Sequence, residues 1–386
     1  MQVDKTLFYL TVVLITTSII FVFSMSLYIG YHKGYGEYHF LFKQLIAGFI
    51  GIFIMWFLST LNPDKFFQPI GITIFTVFIL LMGLMHFFPA DYVVLSHGAM
   101  RWIRVPLGGN IAPVEFFKIG FVFFLAWSFS RKIDISKKTL KEEVTRFLPY
   151  FALFGLVTYL IAIMQNDFGQ VLLLSFVLLF MAIMAGISSR FFLVGIMFVS
   201  ILSSYLIFKS ETRLRRIQEW FYTVQDLFSS ILPKSWDIAN SSMVNIKTQV
   251  ASSHDAIING GFWGTGIGNG VIKLGFLPEI HTDFILSGIA EEIGIFGLII
   301  IILIYFTIIY RILKISNRNR SKMYSQFAFG IALLLIISVF INAFGITGII
   351  PIKGIAVPLL SYGGSSMVAT CVAIGMVLMI SKRVKI

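Results

Sequence analysis

Ten apolar stretches, each about the length of a membrane-crossing helix, constrain this chain of 386 residues more than any other feature. They lie at approximately 7–30, 39–61, 68–90, 112–131, 146–164, 168–187, 190–208, 283–311, 323–349 and 358–381. A bilayer core offers the backbone no water, so such stretches cross it as helices. With 58% hydrophobic and 12% charged residues, the chain has too little polar surface to enclose itself as a soluble domain. The fold expected is an all-α polytopic membrane protein of about ten transmembrane helices in a single domain, 1–386. A large extracytoplasmic loop, 209–282, is expected between helices 7 and 8. The first stretch lacks a small-x-small cleavage site and reads as a signal anchor. Cys371 is the only cysteine, which excludes a disulfide framework and a CxxC metal site.

The net charge of +12 follows from topology. Six Lys or Arg lie in 131–146, five in 311–322 and three in the tail 381–386. The positive-inside rule then puts these segments and both termini in the cytoplasm, in a multi-pass protein of the cytoplasmic (inner) membrane. No nucleic-acid partner is needed to explain the basic charge.

Counting spans from that orientation puts four polar clusters on the external side. They are HGAMRWIRVPLGGNIAPVEFFK (97–118), QNDFG (165–169), the loop 209–282 and PIKGIAVPLLSYGGSS (351–366). Ionisable groups within spans are costly and face a cavity or a partner. Glu115 and Lys118 share one face of a helix start, as an ion pair that staples helices or as part of a site. Asp283 opens the eighth stretch and is the main acid or base candidate, with Glu279 one turn earlier as its helper. Glu291 and Glu292 lie about 12 Å farther along the axis, too deep to act as its facing partner. They read as structural or gating groups. His281, two residues before Asp283, is the one histidine well placed to matter.

Within the loop, 213–233 has amphipathic helical spacing with Arg213, Arg215 and Arg216 clustered at one end, as in an interfacial helix near phosphates. NGGFWGTGIGNG (259–270) is not a P-loop, since no GK[ST] follows. It reads as a re-entrant turn or as a backbone cradle for a diphosphate. Ser361 and Ser365 of SYGGSS serve close helix packing or line a polar pocket. No metal set of histidines and no GxSxG elbow occurs. The residues by themselves therefore leave two classes open. One is a transferase fed from the bilayer, its Arg side chains on a diphosphate and one carboxylate deprotonating an acceptor hydroxyl. The other is a transporter.

Six motifs in order resemble the SEDS family of bacterial peptidoglycan synthesis, which comprises FtsW, RodA and SpoVE. HGAMRWI resembles its Asn-Gly-Ala-x-Arg-Trp-Ile block, APVEFFK its Gln-Pro-x-Glu-x-x-Lys, and QNDFG its Gln-Pro-Asp-Phe-Gly. RLRRI resembles the start of its large loop, FLPEIHTDFI its Leu-Pro-Glu-x-His-Thr-Asp-Phe, and SYGGSS its near-terminal signature. The resemblance implies a glycosyltransferase that polymerises lipid II into glycan strands, with Asp283 catalytic. It assigns substrate-binding or supporting roles to Arg101, Trp102, Glu115, Lys118, Gln165, Asp167, Arg213 and Arg216. Gln249, Glu279, His281, Thr282, Lys353, Ser361 and Ser365 take such roles too. A class B penicillin-binding protein, the septal transpeptidase, and other divisome membrane proteins are the implied partners. A divalent cation, Mg or Mn, on the diphosphate is compatible with this chemistry, although the sequence shows no dedicated cage. Asn166, Ala112 and Ser252 depart from the family's usual Pro, Gln and Gln. Lys353 in PIKG is more like the division-septum member than the elongation member. A RodA-like elongation polymerase and a lipid II flippase are the alternatives.

Overall fold

The computed structural model describes residues 3–96, 99–105, 109–132, 140–211, 213–214, 217–218, 220–221 and 249–384. Three helices come first, α1 (Lys5–His32), α2 (His39–Thr60) and α3 (Pro63–Leu84). Strands β1 (Val93–Ser96), β2 (Ala99–Val105) and β3 (Gly109–Ile111) precede α4 (Pro113–Lys132) and α5 (Leu140–Thr158). Then come α6 (Phe168–Met184), α7 (Ser189–Phe208), α8 (Gln249–Gly260), α9 (Ile285–Arg318), α10 (Lys322–Ile346) and α11 (Gly364–Ser381). The fold is mostly helical, and each of the ten apolar stretches carries a helix. Among the described residues, eight helices are long and apolar enough to cross a membrane, while α6 and α7 contain shorter apolar helices.

Local chemistry sets several boundaries. Asp4 caps α1 by accepting from the Leu7 amide at 3.1 Å. Helix α3 starts five residues ahead of the expected stretch, because Asn62 caps it and Pro63 takes its first turn. It stops at Leu84, where the chain turns into the small antiparallel sheet β1-β2-β3, an element the hydropathy pattern does not reveal. Helix α5 ends in a π-helical turn, Tyr159–Met164, and the Gln165 amide still donates to the Leu160 carbonyl. That wide turn delivers QNDFG to one end of the bundle.

The core is built around α11, buried from Ala369 to Ser381 and packed chiefly on α2. Their backbones approach closely: a Cβ on Gly51 would lie 2.7 Å from Cys371 Sγ. At the end of the bundle where α1 begins, the buried Asp4 carboxylate takes two bonds from Arg311 of α9, at 2.8 and 2.9 Å. The Asp4 amide also donates to Ser381 Oγ. The motif residues collect at the opposite end.

Helix α9 breaks at Gly294, whose φ of 71° and ψ of 177° leave the helical region. The Gly-rich turn takes up the freed backbone groups. Thr265 and Gly266 amides donate to the Glu291 and Glu292 carbonyls, and Ile295 and Phe296 amides donate to the Gly261 and Phe262 carbonyls. All four bonds measure 2.9–3.2 Å. A Cβ on Gly294 would stand 2.3 Å from the Phe262 carbonyl oxygen, so no larger residue fits. The deep carboxylates hold this arrangement. Glu291 Oε1 accepts from Asn259 and from the Val271 and Ile272 amides at 2.7–3.1 Å. Glu292 Oε1 accepts from Ser24 Oγ of α1 at 2.5 Å and from buried Lys273 at 2.7 Å.

Candidate active site

Asp283 lies just ahead of α9, half-buried, with its amide bonded to the Glu279 carbonyl at 3.1 Å. Its side chain lines a cavity of about 190 Å³ together with Asn342 and Gly345 of α10 and Lys353 and Gly354 of the following segment. Gly354 has φ +62°, and a Cβ there would approach Asp283 Oδ2 to 3.2 Å. The carboxylate is thus set against a bare stretch of main chain. Among the described residues that line this cavity, Asp283 is the one carboxylate.

A second, open cavity of about 480 Å³ shares Ile355 with the first. Its polar wall is Glu115, Lys118, Gln170, Ser338, Ser366 and Thr370. Lys118 Nζ meets Glu115 at 3.0 Å, and Gln170 Nε2 donates to the same carboxylate at 3.3 Å. The pair is therefore both an ion pair and part of a polar cavity wall.

QNDFG is held between two arginines. Arg101 of β2 donates to the Gln165 and Asn166 carbonyls at 3.1 and 2.7 Å. Arg213 donates to the Leu206 and Ala162 carbonyls and to Asn166 Oδ1 at 2.6–3.1 Å. Both guanidiniums, expected in substrate-binding or supporting roles, are bonded to this chain. Asn166 has φ +49°, closed to the family's usual proline, and its side chain supplies the Arg213 acceptor. Asp167 caps α6 through the Gln170 amide at 3.4 Å. Burial pushes its carboxyl above the usual range, against the pull of Arg101. Trp102 sits in β2, opposite Val94. Lys353 reaches over the Phe168 ring at 5.0 Å.

The segment before Asp283 is fastened to SYGGSS. Ser361 Oγ donates to the Thr282 carbonyl at 2.6 Å, and the Tyr362 amide donates to the His281 carbonyl at 2.8 Å. The His281 ring is buried between Phe40 and Tyr362, where desolvation and the charge of Lys33 push its pKa down to about 4. Ser365 Oγ joins the Ala112 amide to the Asn110 carbonyl at 3.0 Å each way. Both serines thus fasten segments together. Glu279 and Gln249 are exposed, and Glu279 accepts from Thr282 at 3.0 Å. Arg215, Arg216 and most of the helix expected at 213–233 lie outside the described residues, whereas Trp220 bonds to the Gly348 carbonyl at 2.7 Å. The Gly-rich stretch 259–270, expected as a re-entrant turn or a diphosphate cradle, is a turn bonded to α9, and the adjoining Val271 and Ile272 amides hold Glu291. Among the described residues, no group of three His, Cys, Asp or Glu is arranged to hold a metal ion.

Sequence reasoning missed Gln170, Ser338, Asn342 and Gly354. Asn342 carried a usable signal, as a lone amide inside the apolar run SVFINAFG.

Apolar helices, eight of them among the described residues long enough to cross a membrane, with polar residues gathered at one end define a multi-pass membrane protein with an end-on site. The family model for FtsW, RodA and SpoVE, described as a cell cycle protein, matches residues 4–386. The chain is 41% identical over 392 residues to a protein of Helicobacter pylori (strain 26695) named "Probable peptidoglycan glycosyltransferase FtsW", with both chains covered in full. A chain of a solved peptidoglycan synthase complex superposes with a TM-score of 0.71 at 20% identity, covering 98% of each chain. RodA of Thermus thermophilus superposes with a TM-score of 0.64 at 20% identity, covering 100% of this chain and 98% of its own. The chain belongs to the FtsW, RodA and SpoVE family. Within that family it is a glycosyltransferase most similar to proteins named FtsW.

Proposed function

We propose that this chain is a peptidoglycan glycosyltransferase that polymerises lipid II at the outer face of the cytoplasmic membrane during cell division. One observation carries the mechanism. Asp283 stands half-buried in a cavity wall beside Lys353 and Gly354, without a second carboxylate among the described lining residues. Double-displacement glycosidases need two carboxylates about 5–5.5 Å apart, whereas a single inverting displacement with an activated donor needs one base. In this reading Asp283 takes the proton from the acceptor's GlcNAc 4-hydroxyl. The oxygen forms its bond to the donor's anomeric carbon, inverting α to β. The bond from that carbon to phosphate oxygen breaks, and undecaprenyl diphosphate leaves with the electron pair. Lys353, in the same cavity, is the cation nearest to hand for the leaving diphosphate. The larger cavity behind Ile355, with Glu115, Lys118 and Gln170, is assigned to sugar or peptide hydrogen bonds.

The curated relatives named FtsW support the septal assignment over an elongation role. The synthase-complex neighbour supports a class B penicillin-binding protein as partner. In this reading both termini lie in the cytoplasm, as the positive-inside rule implies for the basic segments 131–146, 311–322 and 381–386. The test is polymerisation of labelled lipid II by the purified chain with its partner. Asp283→Asn should lower the rate at least about 100-fold with the melting temperature unchanged. Full-length glycan ladders from that variant would falsify the assignment, and transport of lipid II across liposomes without polymer would favour a flippase.

A further inference from the structure

We propose that Asn342 is a positioning residue for this reaction, fixing the Asp283 peptide to the wall that carries Lys353. The inference rests on Asp283 being the base. Asn342 projects from α10 and is buried. Its Nδ2 donates to the main-chain oxygen of Asp283 at 2.6 Å and to that of Ile355 at 2.9 Å. Those two carbonyls lie in stretches with no helix or strand to bond them, Asp283 ahead of α9 and Ile355 within 351–357. One amide therefore spends both its protons on joining segments 59 residues upstream and 13 downstream of it. Turning the amide over would set its oxygen against two carbonyl oxygens, so the orientation is fixed.

Stability alone does not account for this choice. Asn342 Oδ1 is buried without a hydrogen-bond partner among the described residues, in a helix whose nearest polar side chain, Ser338, bonds instead to the Leu334 carbonyl. A buried unbonded acceptor is a cost to the fold. What the amide secures is geometry. Asp283, Lys353 and Gly354 line one cavity, and Asn342 is the side chain that bonds to both of its non-helical flanks, the turn at Asp283 and the stretch 351–357. A displacement of about 1 Å between a base and its substrate is enough to cost about 100-fold in rate.

The experiment compares Asn342→Leu, Asn342→Asp and Asn342→His in the full chain with its partner, reading kcat, KM for lipid II and melting temperature. The leucine has no donor, and the carboxylate would face two carbonyl oxygens. The histidine keeps one N–H at similar reach. The expected result is a fall in kcat of about 10- to 100-fold for Leu and Asp, KM within about threefold, and recovery in His to well above both. An unchanged kcat in Leu overturns the inference. So does a loss that appears wholly as KM or tracks the melting temperature, with His no better than Asp. If Leu does not fold, the Asp and His pair decides. Asp283→Asn is run beside them: activity there removes the reading of Asp283, whereas an inactive Asp283→Asn with normal Asn342 variants removes this inference alone.

Discussion

At the scale of single residues, burial sets the chemistry of His281 more than its neighbour Asp283 does. Its ring lies between Phe40 and Tyr362, and its Nδ1 has no hydrogen-bond partner among the described residues. The unfolded chain takes up a proton below about pH 6.5, while the folded chain resists until about pH 4. The unfolded state therefore binds more protons in that window, and stability present above pH 6.5 is lost as pH falls. The loss amounts to roughly 3 kcal/mol by pH 4. Melting curves of the purified protein from pH 7 to pH 4.5 should show it, and His281→Gln should flatten the slope. An equal slope in both proteins would rule out His281 as the source. The same burial makes His281 a neutral spacer that holds Tyr362 through its carbonyl, in keeping with the proposed base being Asp283.

Among elements, the break in α9 and the turn 259–270 form one unit, pinned by the buried Lys273 to Glu292 ion pair. Removing one partner leaves the other charged in an apolar surround, at a cost of about 3–5 kcal/mol, whereas removing both is far milder. Lys273→Met should therefore lower the melting temperature sharply, and Lys273→Met with Glu292→Gln should regain most of it. A double variant no better than the single would show that the turn does not depend on that charge balance. The spans were legible in the sequence because each apolar run reports itself without reference to its neighbours. Asp283, Glu115, Lys118 and QNDFG were legible as a group because span parity put them on one side. The sheet was not, since its strands of three to seven residues gain their identity only on pairing. Nor was the fate of the Gly-rich turn, whose partners are backbone groups freed by a break about 30 residues later. The carbonyls that Arg101 and Arg213 hold were not legible either, because sequence shows charge and hides the backbone groups that receive it.

Across the whole molecule, α9 joins the two ends. Its 34 residues would span about 51 Å if straight, and the break at Gly294 shortens that, with Asp283 just ahead of its first turn and Arg311 about two turns before its end, closing the bidentate pair with Asp4. Arg311→Ala strands the buried Asp4 carboxylate and should cost about 3–5 kcal/mol of stability. Polymerisation per folded molecule, measured well below the melt, should stay within about twofold of the parent, since the cavities lie at the other end. A large loss of kcat with an unchanged melt would mean that the two ends are coupled.

The exchange of four backbone bonds between the turn and the break of α9 also bears on biogenesis. Residues 261–266 are synthesised before residues 291–296, so the turn leaves the ribosome with its intended partners still unmade. Apart, the four amides and four carbonyls that these bonds join lack those partners, and unpaired backbone has no place in hydrocarbon. The turn must then wait in the aqueous channel or the interface until α9 arrives, and the two enter the bilayer together. The piece of chain that bears Asp283 lies between them, so the head of the candidate active site would be set during membrane insertion, in the same event that makes the kink.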